Sequence, residues 1–186
     1  MQEGKTRWGQ LIAVVLLALL VDQVSKWLVI DSMIVGESRI PVPALADVFQ
    51  ITYSLNTGSA FGFMPQAGDV FLVLAILIVA GLFWYYPRIP HNARLSQIAT
   101  GMVCGGALGN ALDRIQHGHV IDFIHYRIPD VISNVSNLAD HAIVLGVVLI
   151  FMDSWRLDRI EARQAALESK TGLDAALDAP TDDPAI

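Results

Sequence analysis

Long apolar runs alternate with polar stretches along the chain, and their spacing predicts four membrane-spanning helices. The first run covers about residues 9–30, enough for a helix to cross a hydrocarbon core that takes about 20 residues. A polar excursion at 31–68 follows. The second run, 69–86, has no charge from Val70 to Tyr86, and Trp84, Tyr85 and Tyr86 at its end read as an interfacial aromatic belt. Pro87 and Pro90 close it, with Arg88 and Arg94 in the connection. The third run, about 95–114, is weakly apolar and rich in glycine. Gly101, Gly105 and Gly109 step by four, which puts them on one helix face where small residues admit a close neighbour. A second polar stretch, 115–136, leads into the fourth run at about 137–155.

Within the first polar stretch, the residues from Val48 to Leu55 are β-prone and alternate apolar with polar up to Thr52. Pro41 and Pro43 restrict what precedes them to edge-like or irregular structure. Asn56-Thr57-Gly58 reads as a turn. The expected fold is thus an all-α membrane protein of four transmembrane helices with a small β-element at the outer surface. Past Leu157 a short polar helix is expected to about Lys170. The remainder, with Pro180 and Pro184 among acids, is expected to be disordered. The boundaries that follow are a transmembrane domain over 1–157 and a polar tail over 158–186.

Composition supports the membrane reading. Of 186 residues 54% are hydrophobic and only 16% charged, where soluble domains average nearer a quarter charged; mean hydropathy is +0.50. The net charge of -6 is concentrated at the end, where six acids from Glu161 onward face only Arg163 and Lys170. A solvated acidic tail explains that excess, and nothing suggests nucleic-acid binding. Lys5, Arg7, Arg88, Arg94, Arg156, Arg159, Arg163 and Lys170 fall on one side of the four spans. Lys26, Arg39, Arg114 and Arg127 fall within or beyond the other ends, and eight against four places both termini in the cytoplasm. Lys5 and Arg7 precede an apolar core that continues without a small-x-small site, so the N-terminus reads as retained rather than cleaved.

Polar and ionisable residues cluster in 101–144, where two apolar runs end and begin, and such groups in lipid are functional by default. Asp22 and Lys26, at i and i+4, read as a neutralising pair near the outer end of span one. Asn110, Asp113 and Arg114 repeat the theme on span three, with Asp113 and Arg114 placed to pair with adjoining helices. Asp122 and Asp140 differ, because no basic residue stands three or four positions from Asp122 and Asp140 opens an apolar run. Two carboxylates brought together share one proton, so that one serves as base and the other as acid. Such a pair hydrolyses a peptide bond without a metal, a thiol or an activated serine. From the residues alone, peptide hydrolysis, proton-coupled transport through the bundle and a carboxylate capping span four all remain open.

Other chemistries carry less. The single cysteine, Cys104, lies in an apolar segment and excludes an intrachain disulfide. His117, His119 and His125 read as outer-loop histidines rather than a metal site. Ser25, Ser54 and Ser59 have no base motif. Tyr53, Phe61, Phe63 and Met64 are either an apolar cradle for lipid chains or ordinary interfacial anchors.

Five blocks carry a family resemblance. They are Asp22-Gln23-Val24-Ser25-Lys26, then Asn56-Thr57-Gly58-Ser59-Ala60-Phe61, then the ten residues from Gly105 to Arg114, then Val120-Ile121-Asp122-Phe123-Ile124, and finally Asn137-Leu138-Ala139-Asp140. In that order, on a four-span pattern, they resemble the bacterial lipoprotein signal peptidases (signal peptidase II). The resemblance implies that Asp122 and Asp140 are a catalytic pair and that Asp22, Lys26, Asn56, Asn110, Arg114 and Asn137 surround them, with Gly58 supporting the site beside Asn56. It implies a multi-pass protein of the bacterial cell membrane with its site near the extracytoplasmic face, needing no metal or cofactor. The protein is separately expected to be monomeric. The implied substrate, held among membrane phospholipid, is the signal peptide of a diacylglyceryl-modified prolipoprotein, cut just before the lipidated lipobox cysteine. Cyclic peptides of the globomycin type are the implied inhibitors. Three departures stand out: Ser136 where a phenylalanine is usual, His141 where a small residue is usual, and the acidic tail.

Overall fold

The structure, a computed structural model, describes residues 2–58, 67–128 and 131–177. In chain order these form α1 (Gln2–Ser32), β1 (Ser38–Arg39), β2 (Phe49–Asn56), α2 (Ala67–Tyr85), α3 (Arg94–His117), β3 (Val120–Ile128), β4 (Ile132–Ser136) and α4 (Leu138–Leu177). Three stretches of helix, Arg7–Ser32, Gly68–Arg88 and Leu138–Lys170, are long and apolar enough to cross a membrane. They leave large apolar side chains such as Leu17, Leu77 and Phe151 facing outward. α3 has the length but lower hydropathy. It is the centre of the bundle, packed against α1, α2 and α4, and its polar residues Gln97, Thr100, Asn110 and Asp113 are buried there.

The glycine stripe explains why α3 fits. A Cβ at Gly101 would meet the Val14 side chain at 2.8 Å, and one at Gly105 would meet Ala18 at 2.6 Å and the Val15 carbonyl at 2.8 Å. At Gly109 it would collide with the Asp22 carboxylate. α1 therefore lies directly on backbone, as the four-residue step predicts. Gly106 faces the Ala139 carbonyl on the other side, so α4 is drawn in as closely. In the first turn of α3 the Ser96 N–H and hydroxyl both donate to Asp153 Oδ2 at 2.9 Å. It ends at Gly118, whose φ of +76° suits glycine and whose N–H donates to the Arg114 carbonyl at 3.0 Å.

The sheet is antiparallel in the order β1-β2-β3-β4. β2 carries an extra residue between Ile51 and Ser54, a bulge that breaks the alternation beyond Thr52. β3 and β4 occupy the stretch read from sequence as an outer loop. Val120 to Ile124 are all buried, and a strand covered on both faces shows a continuous apolar run instead of the alternation that reveals a strand. Ile121, Phe123 and Ile124 join Val29, Met33 and Tyr53 in a core that seats the sheet on the end of α1.

Three further details refine the sequence reading. Trp84 and Tyr85 are exposed, but Tyr86 is buried and its hydroxyl donates to the Arg7 carbonyl at 2.8 Å, so Tyr86 does not face outward with the other two. Span four and the polar helix after it are one uninterrupted helix reaching Leu177. Tyr53 belongs to the core and is not open to lipid. Ser59, Ala60, Phe61, Phe63, Met64 and the tail from 178 to 186 lie outside the described residues.

Candidate active site

Four elements converge where the sheet meets the bundle. β3 supplies Asp122, β2 ends in Asn56, α3 supplies Asn110, and Asn137 and Asp140 stand at the start of α4. α4 begins abruptly after β4, and its first N–H groups have no partners within the helix. Asn137 is the N-cap: its Oδ1 accepts the Asp140 N–H at 3.0 Å. The Ala139 N–H is taken by Asp22 Oδ1 of α1, at 2.9 Å. Asp22 and Asp140 thus sit at the positive end of the α4 dipole, a favourable place for negative charge.

The asparagines tie the two outer aspartates together. Asn137 Nδ2 donates to Asp122 Oδ1 at 2.6 Å and to Asn110 Oδ1 at 3.1 Å. Asn110 Nδ2 donates in turn to Asp140 Oδ1 at 2.7 Å. Asn56 Nδ2 donates to the second oxygen of Asp122 at 2.8 Å. The Asn56 oxygen is occupied by the Gly58 N–H at 2.9 Å, a bond closed by the φ of +82° at Gly58, so only the amide donor is turned to Asp122. Asp122 is 2% exposed. Burial pushes its carboxyl up to about 6; the Asn56 hydrogen bond opposes this, and the charge of Asp140 adds to it.

Behind them lies a buried ion triad. Lys26 Nζ donates to Asp22 Oδ2 and Asp113 Oδ2, both at 2.8 Å, and to Asn110 Oδ1 at 3.1 Å. Gln23 Nε2 reaches Asp113 Oδ1 at 2.9 Å and Asp22 Oδ2 at 3.2 Å, and Asp113 Oδ2 also accepts the Ile121 N–H at 3.1 Å. Each of the four carboxylate oxygens of Asp22 and Asp113 has at least one donor, which makes such burial tolerable. The expected pairing of Asp22 with Lys26 and of Asp113 across helices is present. Gln23 was not anticipated, because its role depends on the α1–α3 packing register. Arg114 donates from Nη1 to the Asn110 carbonyl at 3.1 Å and lies against the Phe71 ring, while its buried Nε has no hydrogen-bond partner among the described residues.

The residues expected from sequence therefore fall into one connected cluster: Asp22, Lys26, Asn56, Asn110, Asp122, Asn137 and Asp140 are linked by side-chain bonds, with Gly58 and Arg114 attached through Asn56 and Asn110. The histidines lie elsewhere. His125 contacts Thr52 and Ser133, each at 2.9 Å, and the His117 and His119 rings face each other. Of the departures, Ser136 makes only a long bond to the Ile124 carbonyl at 3.5 Å, whereas His141 contacts both Asn137 and Tyr126.

Comparisons with known proteins agree with this architecture. The family model described as "Signal peptidase (SPase) II" matches residues 14–156. A lipoprotein signal peptidase of Halothermothrix orenii is 37% identical over 147 residues, covering 79% of this chain and 96% of the relative. One of Bacillus subtilis is 35% identical over 139 residues, covering 75% and 88%. A bacterial membrane enzyme solved by the in meso method at 2.3 Å superposes with a TM-score of 0.70 at 28% identity, covering 80% of this chain and 88% of that one. A second, at 1.9 Å, gives 0.69 at 29% identity, covering 77% and 91%. With the family model spanning most of its length and its polar motifs gathered into one site, the chain belongs to the signal peptidase II family, the lipoprotein signal peptidases.

Proposed function

We propose that the chain is a membrane aspartyl endopeptidase that removes signal peptides from diacylglyceryl-modified prolipoproteins, cutting just before the lipidated lipobox cysteine. The observation that carries this reading is the amide relay from Asp122 through Asn137 and Asn110 to Asp140, which aligns two carboxylates from different elements. Asp122, the more deeply buried of the two, takes the part of the acid in this scheme, and Asp140 that of the base. Asp140 takes a proton from a water as its oxygen attacks the scissile carbonyl carbon. Asp122 donates its proton to the carbonyl oxygen, giving a neutral gem-diol. Collapse then breaks the C–N bond: the leaving nitrogen receives a proton from Asp140, a diol proton returns to Asp122, and the pair is restored.

The remaining residues position and neutralise. Asn56, Asn137 and Asn110 fix the carboxylate rotamers, with Gly58 setting the Asn56 turn, while Asp22 and Lys26 anchor α4 to α1 and α3. Arg114 offers a cation beside the pair for a backbone carbonyl or a phospholipid headgroup. No metal or other cofactor enters this scheme.

In this reading α3 is a fourth span shielded by the other three, residues 1–157 form the peptidase domain, and 158–186 form a cytoplasmic tail. Both termini face the cytoplasm of a bacterial cell, and the monomer presents its site at the extracytoplasmic membrane face. Globomycin-type cyclic peptides would compete for that site. The test is incubation of the purified protein in lipid with a diacylglyceryl-modified lipobox peptide, with product masses read out. A cut immediately before the lipidated cysteine is expected, with no cut in the unlipidated peptide. Intact peptide, or cleavage indifferent to the lipid, would reject the assignment.

A further inference from the structure

We infer that Tyr126 and His141 form a positioning latch that fixes the strand of Asp122 against the helix of Asp140. The inference rests on the two-aspartate reading above. Tyr126 lies four residues beyond Asp122 on β3, and an even step along a strand returns to the same face. His141 lies four residues beyond Asn137 on α4, one helical turn on and on the same face. Two rungs therefore join one face of β3 to one face of α4: Asp122 to Asn137 at 2.6 Å, and Tyr126 Oη to His141 Nε2 at 3.1 Å. Four strand residues advance about 13 Å and one helical turn about 5 Å, so the second rung closes only with long side chains. Tyrosine and histidine supply that reach.

The hydrogen-bond partners settle the ring's role. His141 Nδ1 lies 2.6 Å from the Asn137 carbonyl, which can only accept, so Nδ1 carries a proton. In the neutral ring Nε2 then accepts the Tyr126 hydroxyl. In the imidazolium it donates to the same oxygen, so the rung holds in both states. The rings stand 5.7 Å apart, and Phe49 backs Tyr126 from β2 at 6.2 Å. The β2 and β4 ladders and the Ile121 N–H bond to Asp113 already hold β3, and the second rung adds a direct tie between its outer half and the first turn of α4; small misplacements at a reacting centre reduce turnover. None of the five motif blocks contains Tyr126 or His141, and a histidine after the aspartate is one of this chain's departures.

The test compares the full-length protein in lipid with its Tyr126→Phe, His141→Ala and double variants, using a diacylglyceryl-modified lipobox peptide. Each single change is expected to lower kcat about fivefold, the rate equivalent of one net hydrogen bond, with KM within about twofold of the parent. The double variant is expected to fall no further than His141→Ala, since that change already opens the rung. A parental kcat in Tyr126→Phe, losses that multiply in the double variant, or an effect confined to KM would overturn the latch. Tyr126→Phe removes one oxygen and decides the matter even where His141→Ala fails to fold. Asp122→Asn is measured alongside: inactive, with a parental Tyr126→Phe, it overturns the latch alone; active, it overturns the two-aspartate reading and the latch with it.

Discussion

The Asn137 amide donates to the Asp122 carboxylate across 2.6 Å, joining the N-cap of α4 to the first half of β3. The same side chain caps α4, so helix start and carboxylate placement depend on one residue that is 0% exposed. Asn137→Ala is expected to cost about 2–4 kcal/mol, the sum of a lost cap and a buried partner left unmade. Asn137→Asp retains a capping oxygen and should recover part of that stability without recovering peptidase activity, because the donor to Asp122 is gone. Thermal unfolding in detergent and cleavage of a lipidated peptide, measured on both variants, check this.

The pH dependence has a definite sign. Burial holds the Asp122 carboxyl at about 6, above its ordinary 3.8, so its contribution to stability is full below about 3.8 and is lost as pH rises through about 6. Activity that needs the singly protonated pair follows the same direction, and kcat/KM should decline above about pH 6 as the dyad loses its last proton. The Asn56 hydrogen bond lowers that value, so Asn56→Ala should move the decline to higher pH. A kcat/KM profile of the two proteins tests it; an inflection that stays put or moves down would count against the role given to Asn56.

Close packing on the α3 glycines predicts two different failures. A Cβ at Gly105 meets Ala18 and the Val15 carbonyl, so Gly105→Ala should destabilise by about 1–3 kcal/mol with the surviving folded protein still active. At Gly109 the obstacle is the Asp22 carboxylate, which holds both Lys26 and the Ala139 N–H. Gly109→Ala should therefore lose activity as well as stability. Unfolding midpoints compared with activity per folded molecule separate the two.

Lys26 pairs with two buried carboxylates at once. Lys26→Met strands Asp22 and Asp113 together, and removal of one partner of a buried pair costs about 3–5 kcal/mol. Asp113→Asn leaves the Asp22 pair in place and should be the milder change. The order of the two unfolding midpoints is the measurement.

Much of this was legible in the chain, for identifiable reasons. The four-residue step of Gly101, Gly105 and Gly109 announces a helix contact because backbone proximity demands small residues. The Asp22–Lys26 pair is visible because i,i+4 geometry is local. β3 escaped notice because burial of both faces from Val120 to Ile124 erased the alternating signature. The polar helix expected after Leu157 is the continuation of α4, which runs past Lys170 to Leu177. Gln23, and the Tyr126–His141 contact, depend on how separate elements are registered in space, and no local pattern encodes that.

The central claim is that Asp122 and Asp140 act together on one water. Replacing each singly with asparagine preserves shape and hydrogen bonding while removing the ionisable group, and kcat on a diacylglyceryl-modified lipobox peptide is the direct readout. Each variant is expected to lose about 10²–10⁴-fold in kcat while retaining a cooperative unfolding transition. Folded Asp122→Asn or Asp140→Asn protein that cleaves within about tenfold of the parent would contradict the account.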